Sequence, residues 1–203
     1  MGAVSLQNLS SFTLLESPTK VKNLAENAKK KGYSAIALTD INITYGLVDF
    51  YKAAKDTGIK PLLGMQLRIN GLIDEANKYD LIVIAKDDQG YKNILRLSSA
   101  VNLLTENGEK ENVLTFEDLK KYLGHLILIT PSNLHSELKM LQTNNPKMGA
   151  NYLRKLQDSL PSSSSMYLGV YADSGQQEYI NYIRSLATQF SLPLTAVEDG
   201  QYL

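Results

Sequence analysis

Two aspartates stand directly behind short apolar runs, where a carboxylate is well placed to do chemistry. Asp40 follows Ala35–Thr39 (AIALT) and Asp199 follows Leu194–Val197. At the end of a buried strand such a group can bind a hard cation or accept a proton. It can equally cap the turn behind the strand through loop amides, and Asp199-Gly200 is itself a turn dipeptide. Other polar residues gather at comparable positions: Gln7, Asn8 and Ser10 behind the first run, Gln66 near Gly64, Asp80 ahead of the fourth run, then Thr130, Ser132, Asp173 and Gln201. Histidine is scarce. His125 and His135 are the only two, and no H-x-H, H-x-x-x-H or H-E-x-x-H spacing exists. The usual transition-metal arrangements are therefore absent. With no cysteine, disulfides, zinc knuckles and thiol nucleophiles are excluded as well. Neither G-x-x-x-x-G-K-[ST] nor G-x-S-x-G occurs.

The elements that must position these residues alternate. Strands are predicted over Val4–Leu9, Ala35–Thr39, Pro61–Ile69, Leu81–Ala85, Leu126–Ile129, Met166–Tyr171 and Leu194–Val197. Helices are predicted over Thr19–Lys31, Leu47–Thr57, Tyr91–Leu104, Phe116–Tyr122, Ser132–Leu141, Met148–Leu160 and Gln177–Phe190. Gly32 and Gly58 stop the first two helices, and Thr115 with Glu117 and Asp118 reads as an N-terminal cap. In the second helix Val48, Tyr51, Ala54 and Lys55 are expected to form the inward face. Glu106–Asn112 and Thr143–Pro146 read as surface loops, and Ser162–Ser165 as a solvated connection. Strands alternating with helices imply parallel pairing, which places chemistry at the C-terminal ends of the strands. His125 opens the fifth strand and falls on the opposite rim, while His135 lies in an exposed turn of the following helix.

Composition narrows the function classes. The chain has 203 residues, 43% of them hydrophobic, with 21 basic and 21 acidic side chains. That is the balance of one folded domain without the field that draws in nucleic acid. Lys29–Lys31 and Lys120-Lys121 sit near helix C-termini, where the helix dipole accounts for them. The N-terminus lacks the pattern of a signal peptide, and no apolar run approaches the length of a membrane span. A cytoplasmic protein with no membrane partner is expected.

The stretch AIALTDINITYGLVDFYKAAKDTGIKPLLGMQ (Ala35–Gln66) resembles the polymerase-and-histidinol-phosphatase (PHP) domain, in the version found in bacterial DNA polymerase III alpha subunits. LIVIAKDDQGYKNILRLSSA (Leu81–Ala100) and LPLTAVEDGQYL (Leu192–Leu203) are similar to segments of the same domain, in the same order. The resemblance implies an α/β fold, a distorted seven-stranded β/α barrel, as one domain over residues 1–203 that is an N-terminal fragment of a longer subunit. It also implies a metal cluster at the C-terminal rim that hydrolyses phosphoesters. At the positions matching that family's ligands this chain carries Gln7, Leu9, Asp40, Ile41, Gln66, Asp80, Ser132, Asp173, Asp199 and Gln201. Only Asp40 and Asp199 keep the family's residue. Leu9 and Ile41 cannot ligate a metal and glutamine is a weak ligand, so phosphoesterase activity is expected to be lost, with no catalytic residue and no cofactor in this domain. The expected role is structural, docking to the remaining domains of the alpha subunit and to other replisome subunits. Nucleotidyl transfer and DNA contact would belong to the parent protein. An alternative keeps activity through Mg²⁺ or Mn²⁺ on Asp40, Asp80, Asp173 and Asp199. A stand-alone phosphatase of the histidinol-phosphatase type is a third reading.

Overall fold

A computed structural model of the chain describes residues 3–13, 16–103, 114–171 and 176–198. One sheet holds seven strands hydrogen-bonded in chain order: β1 (Val4–Ser5), β2 (Ala35–Leu38), β3 (Lys60–Asn70), β4 (Lys78–Ala85), β5 (Leu126–Thr130), β6 (Ser165–Val170) and β7 (Leu194–Ala196). The helices among the described residues are α1 (Val21–Lys30), α2 (Leu47–Thr57), α3 (Asp88–Leu103), α4 (Phe116–Lys120), α5 (Glu137–Asn144), α6 (Met148–Ser159) and α7 (Gln177–Phe190).

Alternation along the strands produces two apolar layers. Ile36, Leu38, Met65, Leu67, Leu81, Val83, Leu126, Leu128 and Leu168 belong to the large core shared with the helices. Their neighbours Ala37, Ile82, Ile84 and Ile129 join Val197 in a small cluster on the other face, with Leu6, Leu62, Ile127 and Tyr167 packed against it. That second face is the lumen of a curled sheet, the distorted β/α barrel expected from sequence. Gly169 lets the lumen be narrow, since a Cβ there would lie 2.1 Å from the Thr130 carbonyl oxygen.

One strand departs from the all-parallel expectation. β4 runs antiparallel to both β3 and β5, whereas β1, β2 and β3, and likewise β5, β6 and β7, pair in parallel. The reason is the connection. Only residues 71–77 separate β3 from β4, too few for the crossover that a parallel return requires. That turn is pinned by the buried Glu137, whose carboxylate accepts the backbone N–H groups of Leu72, Ile73 and Asp74 at 2.8, 2.7 and 3.0 Å. The reversal turns the start of β4 toward the rim where β2 and β3 end.

Smaller corrections follow from packing. β1 is two residues long; beyond it Asn8 bonds Ala37 and Thr39 at the end of β2, Ser10 bonds Asp40, and Gln7 reaches Gln66 of β3. The inward face of α2 is Leu47, Phe50 and Ala54, while Val48 and Tyr51 are 54% and 45% exposed. Tyr51 instead carries the Lys55 ammonium over its ring at 5.5 Å. α5 begins at Glu137, so His135 lies in the exposed segment ahead of it, and α5 continues through Thr143 to Asn144. Ser163 and Ser164 are half-buried and bond the backbone around His125, so that run is a structural connection. The predicted loop Glu106–Asn112 lies outside the described residues.

Candidate functional site

Asp40 sits just past β2 and is 1% exposed. Its Oδ1 accepts the Ser10 backbone N–H at 2.7 Å and the Thr13 hydroxyl at 2.8 Å, and its Oδ2 accepts the Ser10 hydroxyl at 2.7 Å. No cation is paired with it among the described residues. Charge-assisted bonds to three donors stabilise the buried carboxylate instead. Thr13 also accepts the Ile41 N–H at 3.2 Å, so this carboxylate fastens the N-terminal segment to the β2 loop.

A second polar chain crosses the rim beside it. Gln7 Nε2 donates to Gln66 Oε1 at 3.0 Å, and Gln66 Nε2 donates to Asp80 Oδ2 at 2.9 Å. Asp80 lies within β4, not ahead of it, and its side chain is fully buried. Across the hairpin it faces Arg68 in register. Arg68 Nε donates to Asp80 Oδ1 at 2.9 Å and Arg68 Nη2 to Asp80 Oδ2 at 3.0 Å, a bidentate pair. The hydrogen bond to Asp80 holds the Arg68 guanidinium above its usual pKa, with Glu16 adding a smaller favourable charge. The Arg68 backbone N–H donates to Asn42 Oδ1 at 2.9 Å, tying β3 to the loop after Asp40.

The structure thus brings Gln7, Gln66 and Asp80 into one network and places Asp40 in a separate hydrogen-bonded nest on the same rim. Leu9 is buried and Ile41 half-buried, and both offer only hydrocarbon side chains. Ser132 is buried behind β5, where the Lys139 ammonium reaches its carbonyl oxygen at 3.5 Å. Asp173, Asp199 and Gln201 lie outside the described residues. Arg68 is the participant that sequence reasoning missed. Its position near the end of the third strand, with Asp80 just ahead of the fourth and no helix between, was the available signal.

The rim donors among the described residues are engaged with one another and with Arg68. Among the described residues no group of three or more His, Cys, Asp or Glu side chains converges as metal ligands would. Both Asp80 oxygens already take guanidinium N–H groups, so a cation there would meet a positive charge at hydrogen-bond distance from its ligand. His125 stands apart, at the start of β5 on the opposite rim, with its Nδ1 2.8 Å from Asp87 Oδ2.

Comparison with known proteins agrees with this architecture. The PHP domain family matches residues 5–171. The chain is 32% identical to the DNA polymerase III subunit alpha of Halalkalibacterium halodurans and 30% identical to that of Bacillus subtilis, over 100% of this chain in both cases. It spans 18% of the length of each of these relatives. Among solved structures, an amidohydrolase from Chromobacterium violaceum with bound sulfate and no metal is similar with a TM-score of 0.67 and 12% identity, over 98% of this chain and 87% of that one. A two-domain protein from Bacteroides vulgatus, containing a predicted PHP-like metal-dependent phosphoesterase, is similar with a TM-score of 0.60 and 11% identity, over 98% and 52%. The seven-stranded curled sheet, the rim residues that it gathers and the family match over most of the chain lead to one assignment: this chain belongs to the PHP domain family.

Proposed function

We propose that the chain is the PHP domain of a bacterial DNA polymerase III alpha subunit, acting there as a structural and docking part without phosphoesterase activity. The observation that carries this reading is the Arg68–Asp80 pair. In an active site of this kind a buried carboxylate is a ligand for a divalent cation, and here the balancing charge is covalently part of the chain. A guanidinium supplies charge and hydrogen bonds, but it cannot deliver the metal-bound hydroxide that attacks phosphorus. Gln7 and Gln66 extend the same logic, replacing coordinate bonds by amide hydrogen bonds that keep the rim packed.

The identity and coverage of the polymerase relatives support the parent assignment, with polymerisation and DNA contact carried by regions beyond this domain. The domain then works in the cytoplasm as a fixed body against which the rest of the subunit and other replisome proteins are held. Among the described residues no helix is long and apolar enough to cross a membrane. The test is metal analysis of the purified chain together with hydrolysis of nitrophenyl phosphate in Mg²⁺ or Mn²⁺. Substoichiometric metal and no turnover are expected. Stoichiometric metal with turnover abolished by Asp40→Ala would overturn the reading in favour of a carboxylate-held Mg²⁺ or Mn²⁺ site.

A further inference from the structure

At the end of the barrel away from Asp40, the lumen opens into a cavity of about 580 Å³. Its wall is formed by Leu6, Leu62, Ile84, Ile127 and Tyr167, the lower layer of the luminal cluster. In closed eight-stranded barrels successive layers of side chains fill this space. Here β1 and β7 are the two edges of the sheet, and Leu6 just past β1 and Thr195 of β7 both border the cavity. Leu6, Leu62, Ile127 and Tyr167 are consequently only half-buried, an apolar concavity left in contact with water.

Charge at the mouth is unevenly spent. Asp87 is occupied by the Gly90 N–H at 2.9 Å and by His125 at 2.8 Å, and Asp88 sits in the first turn of α3, where the helix dipole favours it. Lys86 donates to the Ser163 carbonyl oxygen at 2.7 Å, a neutral partner. Lys60 makes no ion pair among the described residues and is exposed at the cavity edge. The Tyr167 phenol has no hydrogen-bond partner in the protein among the described residues, which leaves one polar handle inside an apolar wall. Both carboxylates stay ionised but have local donors, whereas Lys60 has no acidic partner among the described residues.

We propose that this mouth is a binding site for a small amphiphile, an apolar or aryl body carrying one anionic group. The body would fill the lumen against Leu62, Ile84 and Ile127, and the anion would meet Lys60 with Lys86 behind it. A concavity of this size, largely apolar with a few convergent polar groups, is the ordinary form of a small-molecule site. The proposal is independent of the polymerase assignment, because it uses the opposite end of the barrel and none of the rim residues.

Titration of the folded 203-residue chain with anilinonaphthalene sulfonate, an aryl anion, tests it. Saturable one-to-one fluorescence enhancement is expected, displaced by decanoate. Lys60→Glu, on an exposed side chain, should weaken binding about tenfold without altering the melting temperature. Leu62→Trp should fill the cavity and abolish binding, with circular dichroism establishing that the fold is kept. A Leu62→Trp chain that fails to fold leaves Lys60→Glu as the deciding variant. Absence of saturable binding, or affinity unchanged in Lys60→Glu, would overturn the proposal. Protection of these residues from hydrogen exchange only by a protein partner, with no effect of either anion, would also overturn it and assign the mouth to a protein interface.

Discussion

Replacing Arg68 by methionine is the most direct test of the charge arrangement at the rim. The change keeps the side-chain bulk and removes the guanidinium. Asp80, whose side chain has no solvent exposure, would lose two of its three side-chain hydrogen bonds and keep only the amide of Gln66. Breaking a buried pair by removing one partner costs about 3–5 kcal/mol, because the remaining charge is stranded. For a chain of this size each kcal/mol moves the melting temperature by roughly 2–4 °C, so a fall of roughly 6–20 °C is expected. Differential scanning calorimetry and urea denaturation at pH 7 would measure it. The double variant Arg68→Met with Asp80→Asn removes both charges, keeps an acceptor for Gln66, and should recover most of the loss. A loss below about 1 kcal/mol for Arg68→Met would refute the reasoning. So would a double variant no more stable than the single one, since the cost would then come from packing.

Glu137→Gln leaves one acceptor oxygen for the three backbone N–H groups of Leu72, Ile73 and Asp74, and should cost about 2 kcal/mol with faster amide exchange at those residues. Asp40→Asn places an amide donor among the Ser10 and Thr13 donors and should lower the unfolding free energy measured in urea by a comparable amount, about 2 kcal/mol, with or without added Mn²⁺. Gly64→Ala puts a methyl 2.7 Å from the Val83 carbonyl oxygen in the antiparallel ladder and should destabilise by about 1–3 kcal/mol in the same assay. Asp74, Asp87 and Asp118 are held below the usual carboxylate range, chiefly by hydrogen bonds from Asn77, from the Gly90 N–H and from Lys121 respectively. Depressed folded-state values contribute stability that is present above about pH 4 and is lost as the pH falls further. Denaturation midpoints should therefore drop below about pH 4, and the drop should be shallower in Asp87→Asn.

Local signals carried much of the fold. α2 spans the predicted residues, from Leu47 to the stop at Gly58, which takes φ +69°. The continuous apolar run Leu81–Ala85 marked β4, which the structure divides between Leu81 and Val83 on one face and Ile82 and Ile84 on the other. What periodicity could not supply was strand direction. The interval between the predicted strands, residues 70–80, held no helix and was the cue for a hairpin, and a general rule about alternating elements overrode it. The same omission hid Arg68, since a parallel β4 would not have set it opposite Asp80. The inward face of α2 was misjudged because Val48 and Leu47 are adjacent and equally apolar, and only the position of the sheet decides between them.

The reversed β4 bears on the order in which this domain forms. Arg68 and Asp80 are 12 residues apart and meet across a short turn, whereas Asp40 waits for Ser10 and Thr13 from 30 and 27 residues away. Closing the shorter loop costs less chain entropy, and hairpins form within microseconds. The charge pair at the rim is therefore expected to assemble with its hairpin, ahead of the segments that enclose it. Kinetic analysis should give β3–β4 variants transition-state values well above those of Ser10 or Thr13 variants.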